Sequence, residues 1–461
     1  MDNKTSPQLL LILNGPILKM LFRLAIPNVA AIITMTAIML ADASFVGKLG
    51  TTELASLALV FPFQSLMQMM GAGAIGGGIA SSVARALGSN DSHRAEEAAW
   101  HGLIIIIVMS LFYAILLGIF CRQVFQIFDA TEEVLKGAVL YSQILFGAAL
   151  VGWLYFFLFS LLRAIGEIPR LSRIVILSSL VQIALSGALT LGWGPLPSLG
   201  VVGPAVAMVL CHGVTSLYML FLILRGTVAL RLRPYSFNPH SLYDIMKVGG
   251  IGLLNSSAIA LTVVIVTAVV GGYGTEALAW YGLGSRLEIM MIPIAFGIGV
   301  VLTTAIGANF GAEQYSRARN IAWLGYLGTL IVTGLVGIIV SVNPDLWMGR
   351  FTSNPGAYEF GALYLGIVAP FYGLFGGGQT LYFASQGTGH MLIPVGLSLM
   401  RLLVVATVGI LATQFSWELS RVFVGVAAGL GIIGLGMVVN MFTPKWNPRL
   451  NTKISRMKII P

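Results

Sequence analysis

Asp42, Arg286, Glu288 and Arg401 are charged side chains that fall inside long apolar stretches of this sequence. On membrane-insertion scales a charge near the centre of an apolar span costs roughly 2.5–3.5 kcal/mol, so each needs a reason to be there. Asp42 offers the clearest chemistry, because a carboxylate in a poorly solvated site can take up and release a proton. At helical spacing it shares a face with Met39, Met35 and, farther inward, Asn28. The competing reading sets Asp42 at the outer headgroups, paired with Lys48. Arg286 and Glu288 are two positions apart, so they point in different directions around a helix and do not pair with each other. Glu288 is either a second carboxylate for an ion or substrate, or half of a structural pair across helices. Arg401 should be paired or face a cleft. Methionine adapts its shape and suits promiscuous surfaces, although most helical methionines fill packing space. On that basis Met35, Met39, Met67, Met70 and Met291 join Arg286, Glu288 and Tyr372 as candidate substrate contacts.

The elements that must position these residues follow from composition. The 461 residues are 57% hydrophobic and 9% charged, whereas an ordinary soluble domain is about 25% charged. Each membrane crossing needs about 20 mostly apolar residues. A soluble enzyme, a disordered chain and a secreted disulfide scaffold are thereby excluded, and the bilayer is the solvent. Apolar stretches at about 24–47, 52–86, 101–121, 138–162, 174–193 and 201–224 are followed by six more at about 248–270, 278–306, 321–342, 360–384, 392–413 and 422–442. The expected fold is therefore an all-α polytopic membrane protein of twelve transmembrane helices. Residues 1–225 would form the first six-helix lobe, 226–247 a cytoplasmic linker, 248–442 the second lobe and 443–461 a basic tail. Pro27 lies in helix 1, either as an interior hinge or as a first-turn proline marking the helix start.

The net charge of +9 sits in short loops, which argues for topology and against nucleic-acid binding. With the N-terminus inside the cell, 19 of the 26 Lys and Arg fall on the cytoplasmic side, five outside, and Arg286 and Arg401 within spans. Both termini are thus expected in the cytoplasm. An internal repeat supports six plus six. Gly50-Thr-Thr-Glu-Leu-Ala55 returns as Gly274-Thr-Glu-Ala-Leu-Ala279, and Gly88, Arg94-Ala95 and Ala99-Trp100 return as Gly311, Arg317-Ala318 and Ala322-Trp323. Six helices per copy make the repeats parallel, and a cleft between two such lobes is where alternating-access transporters bind substrate. Cys121 and Cys211 read as packing residues, and the five histidines show no metal-ligand spacing. Gly71-Ala-Gly-Ala-Ile-Gly76 matches a dinucleotide-binding pattern but lacks its preceding strand, so small-residue helix packing is the better reading.

In order along the chain stand Leu24-Ala-Ile-Pro27, Asp42-Ala-Ser-Phe-Val-Gly-Lys-Leu-Gly50, Arg85-Ala-Leu-Gly88 and Arg163-Ala-Ile-Gly-Glu167. Tyr281-Gly-Leu-Gly-Ser-Arg-Leu-Glu288, Ala308-Asn-Phe-Gly-Ala312 and Gln386-Gly-Thr-Gly389 follow. Together they resemble the multidrug and toxic compound extrusion (MATE) family over nearly the whole chain, and most closely its branch named after DNA-damage-inducible protein F (DinF-like). The resemblance implies an inner-membrane antiporter of two six-helix lobes around a central cleft. It would export organic, often cationic, compounds against an inward ion gradient, with the coupling site at Asp42 and the bending point at Pro27. Where prokaryotic relatives carry Asn-x-x-x-Asp in helix 5, this chain reads Gln182-Ile-Ala-Leu-Ser186. The second acid is absent, which favours a proton over sodium as coupling ion.

The expectation is proton-coupled export of organic cations or amphipathic drugs by a monomer, by rocker-switch alternating access. Asp42 would bind proton and substrate competitively, with Asn28, Gln182 and Ser186 as polar neighbours. No cofactor or metal is expected, and no catalytic constellation points to an enzyme. Sodium-coupled efflux is one alternative. A lipid-linked oligosaccharide flippase shares the duplicated plan, but only Arg286 and Arg401 are available to meet a pyrophosphate.

Overall fold

The computed structural model describes residues 7–350 and 355–446. All regular structure among them is helical. The first lobe comprises α1 (Ile17–Gly47), α2 (Thr51–Gly88), α3 (Ser92–Ile119), α4 (Glu132–Gly147 continued by Ala149–Ala164), α5 (Ile168–Leu191) and α6 (Gly200–Leu224). The second comprises α7 (Pro239–Gly271), α8 (Glu276–Gly311), α9 (Tyr315–Val342), α10 (Tyr358–Thr388), α11 (Leu392–Gln414) and α12 (Leu419–Asn440). Eleven of these are long and apolar enough to cross a membrane alone, and the two segments of α4, bent by 50°, are so only when taken together. Outward-facing leucine, valine and isoleucine such as Leu177, Val214, Leu403 and Ile410 stay exposed, as a lipid-facing surface requires.

The helices run past the apolar stretches that announce them. α1 begins at Ile17 and takes Lys19 and Arg23 into its first turns, so Pro27 is an interior proline and the first-turn reading falls away. The stretch expected as a linker over 226–247 ends sooner as irregular chain. Asn238 caps α7, its side chain accepting the His240 N–H at 3.0 Å, and Pro239 takes the first helical position. The remaining linker is fastened to α3, with Tyr235 donating to Glu96 at 2.9 Å and Asn238 Nδ2 to Glu97 at 2.7 Å. Gly71–Gly76 falls where α2 widens into a π-helical segment, Met69–Ile75, far from any strand–turn–helix. Lys4 and the tail cations Arg449, Lys453, Arg456 and Lys458 lie outside the described residues.

The lobes meet at the basic end of the molecule through repeat-related residues. A Cβ on Gly88 would run into the carbonyl of Ala308, and one on Gly311 into the carbonyl of Arg85. Gly88 and Gly311, and likewise Arg85 and Ala308, are 223 positions apart. The two contacts are therefore one contact made twice about a pseudo-twofold axis. Both glycines are needed for close backbone approach. The arginine of each repeat crosses similarly. Arg94 approaches Asp244 of α7 at 3.8 Å, and Arg317 donates to the carbonyls of Ile12 and Gly15, just before α1.

Around this axis the basic end is closed. Arg85 and Ser82 of α2 bond to Asp244 at 2.8 and 2.6 Å. Gln386 of α10 donates to the Gly73 carbonyl at 2.9 Å, and Ser81 donates to the Gln386 carbonyl. Asn28 of α1 donates to Gly297 of α8 at 2.6 Å. A cavity opens between the lobes beyond these contacts, toward the other end.

Candidate functional site

Asp42 lies on α1 between the first lobe's interior and the inter-lobe cavity. It is 6% exposed, and Ser186 of α5 donates to its Oδ1 at 2.5 Å. The α1–α5 packing that delivers this bond also sets Gln182 one turn from Ser186 on the same helix. No ion pair to Asp42 occurs among the described residues, which removes the pairing with Lys48. A buried carboxylate with one hydroxyl partner has lone pairs free for another proton or cation.

Two chambers meet beside it. The larger, about 380 Å³, is lined by Asp42, Met39, Phe61, Gln64, Tyr141 and, from the second lobe, Arg286. The smaller, about 20 Å³, is lined by Met35, Met39, Gln64, Gln182, Tyr155 and His212. It has room for a water and enough polar groups to hold one. Met39 and Gln64 belong to both walls. Inside the smaller chamber the His212 and Tyr155 rings stack, with centroids 4.1 Å apart and an interplanar angle of 4°.

The second lobe carries a related but differently charged cluster. Tyr364 donates to Glu288 Oε2 at 2.5 Å, and Arg401 Nη2 lies 3.3 Å from Oε1. The Arg401 guanidinium also sits over the Phe375 ring, 5.0 Å from its centroid. In the first lobe Tyr141 donates to Gln64 Oε1 at 3.4 Å. Gln64 matches Glu288, and Tyr141 matches Tyr364, at the repeat offset of 223–224. One tyrosine-to-acceptor bond is thus built twice, on an amide in one lobe and on a carboxylate neutralised by arginine in the other.

The residues singled out by sequence part company here. Asp42 meets Ser186, Gln182 lines the adjoining chamber with Met35 and Met39, and Arg286 closes the cavity wall opposite. Asn28 belongs elsewhere. It is 14 positions from Asp42, about 21 Å along a helix, and its bond is to Gly297. Glu288 is occupied by Tyr364 and Arg401. Met67 packs under Gly152, Met70 accepts from Tyr113 at 3.3 Å, and Met291 and Tyr372 are buried in the second lobe. None of these four lines either of the two chambers. Gln64, Tyr141, Tyr155 and His212 line the chambers without having been singled out as contacts. Only Gln64 carried a signal, its match to Glu288. No group of histidine, cysteine and acidic residues able to hold a metal occurs among the described residues.

A family model described as MatE matches residues 27–186 and 253–411, one block in each lobe. A FAD transporter of Shewanella oneidensis is 25% identical over 371 residues, covering 79% of this chain and 81% of its own length. A probable multidrug resistance protein of Bacillus subtilis, YoeA, is 23% identical over 418 residues, covering 88% of this chain and 89% of its own. Among solved structures, a MOP-superfamily transporter from Pyrococcus furiosus superposes with a TM-score of 0.87 at 22% identity, covering 95% of this chain and 98% of that one, a likeness of fold.

Proposed function

This chain belongs to the MatE family of membrane transporters, and on that premise we propose that it exports organic cations or amphipathic toxic compounds in exchange for protons entering through Asp42. The observation that carries the reading is a buried carboxylate with one hydroxyl donor and no ion pair among the described residues, on the wall of an inter-lobe cavity. A lone acid suits a proton, which needs one basic group, better than sodium, which prefers several oxygen ligands. Within the family, Ser285-Arg-Leu-Glu288 and the lone Asp42 favour the DinF-like branch.

In this mechanism the basic end faces the cytoplasm of an inner membrane, with both termini inside, and the present conformation opens outward. Substrate held at Asp42 leaves to the outside as a proton takes its place, with Ser186 holding the carboxyl group in position for either. Protonation removes the charge that held the cargo and releases α1 to bend at Pro27. The lobes then rock about their pseudo-twofold contact, open the basic end and return Asp42's proton to the cytoplasm as new cargo binds. A cargo can drive this cycle only through its differing affinity for the two states.

Efflux from proteoliposomes under a proton gradient or a sodium gradient, each imposed alone, tests the reading. Wild type should respond to the proton gradient and Asp42→Asn to neither. Undiminished proton-driven efflux by Asp42→Asn would remove Asp42 from the mechanism, and a response to sodium alone would favour the sodium-coupled alternative.

A further inference from the structure

The two lobes differ at the start of their third helices. In the first, His93, Glu96, Glu97 and Trp100 share one face of α3, and the linker between the lobes lies over it. Tyr235 donates to Glu96 at 2.9 Å and packs edge-on to the His93 ring, with centroids 5.0 Å apart, while Asn238 donates to Glu97 at 2.7 Å. At the repeat offset of 223 the same positions of α9 read Ser316, Arg319, Asn320 and Trp323. Two acids have become a cation and an amide. This face, with Tyr315 and Trp446, lines an open cavity of about 360 Å³ that has no acid on its wall among the described residues. The Arg319 guanidinium lies over the Phe442 ring, 5.3 Å from its centroid, and has no ion pair among the described residues. Farther along α9 the same face turns to exposed Leu327, Ile331 and Ile338, and Phe442 is exposed beside Trp323.

We propose that this cavity at the start of α9 binds an anionic phospholipid from the leaflet at the basic end. The phosphate sits at Arg319, Ser316 and Asn320 donate to headgroup oxygens, and the acyl chains lie along Leu327 and Ile331. The planar fork of arginine fits a phosphate through two parallel hydrogen bonds. A volume of about 360 Å³ has room for a phosphate together with its glycerol. Leu327 is eight positions beyond Arg319, about 12 Å along the helix, so one molecule reaches from headgroup level into hydrocarbon. Tryptophan such as Trp323 belongs at that boundary, and a basic pocket there is the kind that receives anionic headgroups. A zwitterionic headgroup would bring its amine to Arg319 with no acid to receive it. The chain's own following residues compete poorly, because Lys445, Arg449, Lys453, Arg456 and Lys458 give that stretch the same sign of charge as Arg319. The site does not depend on the export reading.

The test is native mass spectrometry of the purified, delipidated full chain in detergent. It is titrated with palmitoyl-oleoyl phosphatidylglycerol or with the phosphatidylcholine of the same chains. Wild type should bind the phosphatidylglycerol about tenfold tighter. Arg319→Gln should remove most of that preference, and Arg319→Lys should keep part of it. Arg225→Gln is the control, because Arg225 also lies over a phenylalanine at the basic end, 4.6 Å from the Phe221 centroid, but does not line this cavity. Its loss should leave the preference intact. Equal binding of the two lipids by wild type overturns the proposal. So does an equal loss in Arg225→Gln, which would reveal diffuse surface charge. Glycerol 1-phosphate should displace the lipid only at far higher concentration, and displacement at the lipid's own Kd would assign the site to a soluble phosphate instead. In a second experiment the photoreactive Asn320→p-benzoylphenylalanine should capture lipid in native membranes. Capture of residues 447–461 in place of lipid gives the site to the chain's own tail and overturns the proposal.

Discussion

Two acids inside the spans have opposite meanings. Glu288 is neutralised by Arg401 at 3.3 Å and bonded by Tyr364, with both charged side chains largely buried. Removing one partner of a buried pair strands the other charge and typically costs about 3–5 kcal/mol, whereas replacing both can be nearly neutral. Arg401→Met should therefore lower the thermal midpoint strongly, and adding Glu288→Gln should recover most of the loss. If the double variant is no more stable than the single, the pair is not what holds this cluster. Asp42 has no ion pair among the described residues, so Asp42→Asn should leave thermal stability close to wild type while proton-driven efflux is lost. The charged residues within the spans are legible in the sequence because the surrounding stretches are so apolar. What each charge touches is not, because Glu288 and Arg401 are 113 positions apart and meet only when α8 and α11 pack. Asn28 shows the complementary limit, since a shared helical face says nothing about the distance along the helix.

On α1 the interior proline and the inter-lobe contact are adjacent. Pro27 has no N–H to give the carbonyl one turn earlier, and Asn28 and Val29 press against Gly297 of α8. A Cβ on Gly297 would lie 2.7 Å from Val29 Cγ2 and 2.9 Å from Val29 Cα, so the contact depends on glycine. The segment of α1 nearest the basic end is thus held to the second lobe, while the Asp42 segment belongs to the first, with the proline beside the join. Pro27→Ala restores a backbone bond and stiffens the join. It should raise the thermal midpoint or leave it unchanged and slow efflux, with substrate affinity within a few-fold of wild type. Turnover and Kd measured side by side check this, and unchanged turnover would show that α1 does not need to bend there. The expected start of this helix near residue 24 allowed a first-turn proline, because Lys19 and Arg23 look like loop charges. Long cationic side chains instead reach the headgroups from within a helix, so charge does not end it. Similarly, α3 extends back to Ser92 and α7 to Pro239, where Asp91 and Asn238 cap them.

At the scale of the whole molecule the duplication is legible because short runs recur at a constant offset, and six helices per copy fix the parallel arrangement. The lock at its basic end is less legible, since Asp244 lies in a polar stretch that reads as linker until α7 forms. Asp244 accepts from Arg85 at 2.8 Å, Lys247 at 2.6 Å and Ser82 at 2.6 Å, with Arg94 at 3.8 Å. Arg85, Arg94 and Ser82 come from the first lobe, so this one carboxylate ties the two halves together. Burial and the nearby Lys445, Lys247 and Arg85 hold the His390 imidazole below its usual value. Its protonation therefore costs the folded state, and the contribution to stability should be full above the ordinary imidazole range and be lost as pH falls through and below it, which thermal midpoints across pH for wild type and His390→Gln check. Asp244→Asn leaves the cations without their shared anion and should favour separation of this end. Spin labels on α2 and α7 should report a longer distance between the lobes, with the separated population raised about tenfold. High salt should narrow the gap between variant and wild type only in part, because Arg85 and Asp244 are screened less than exposed charges. Arg122→Ala breaks the exposed pair to Glu132 and should leave the distances unchanged. If Asp244→Asn leaves the distances as they are in wild type, the glycine contacts alone close this end.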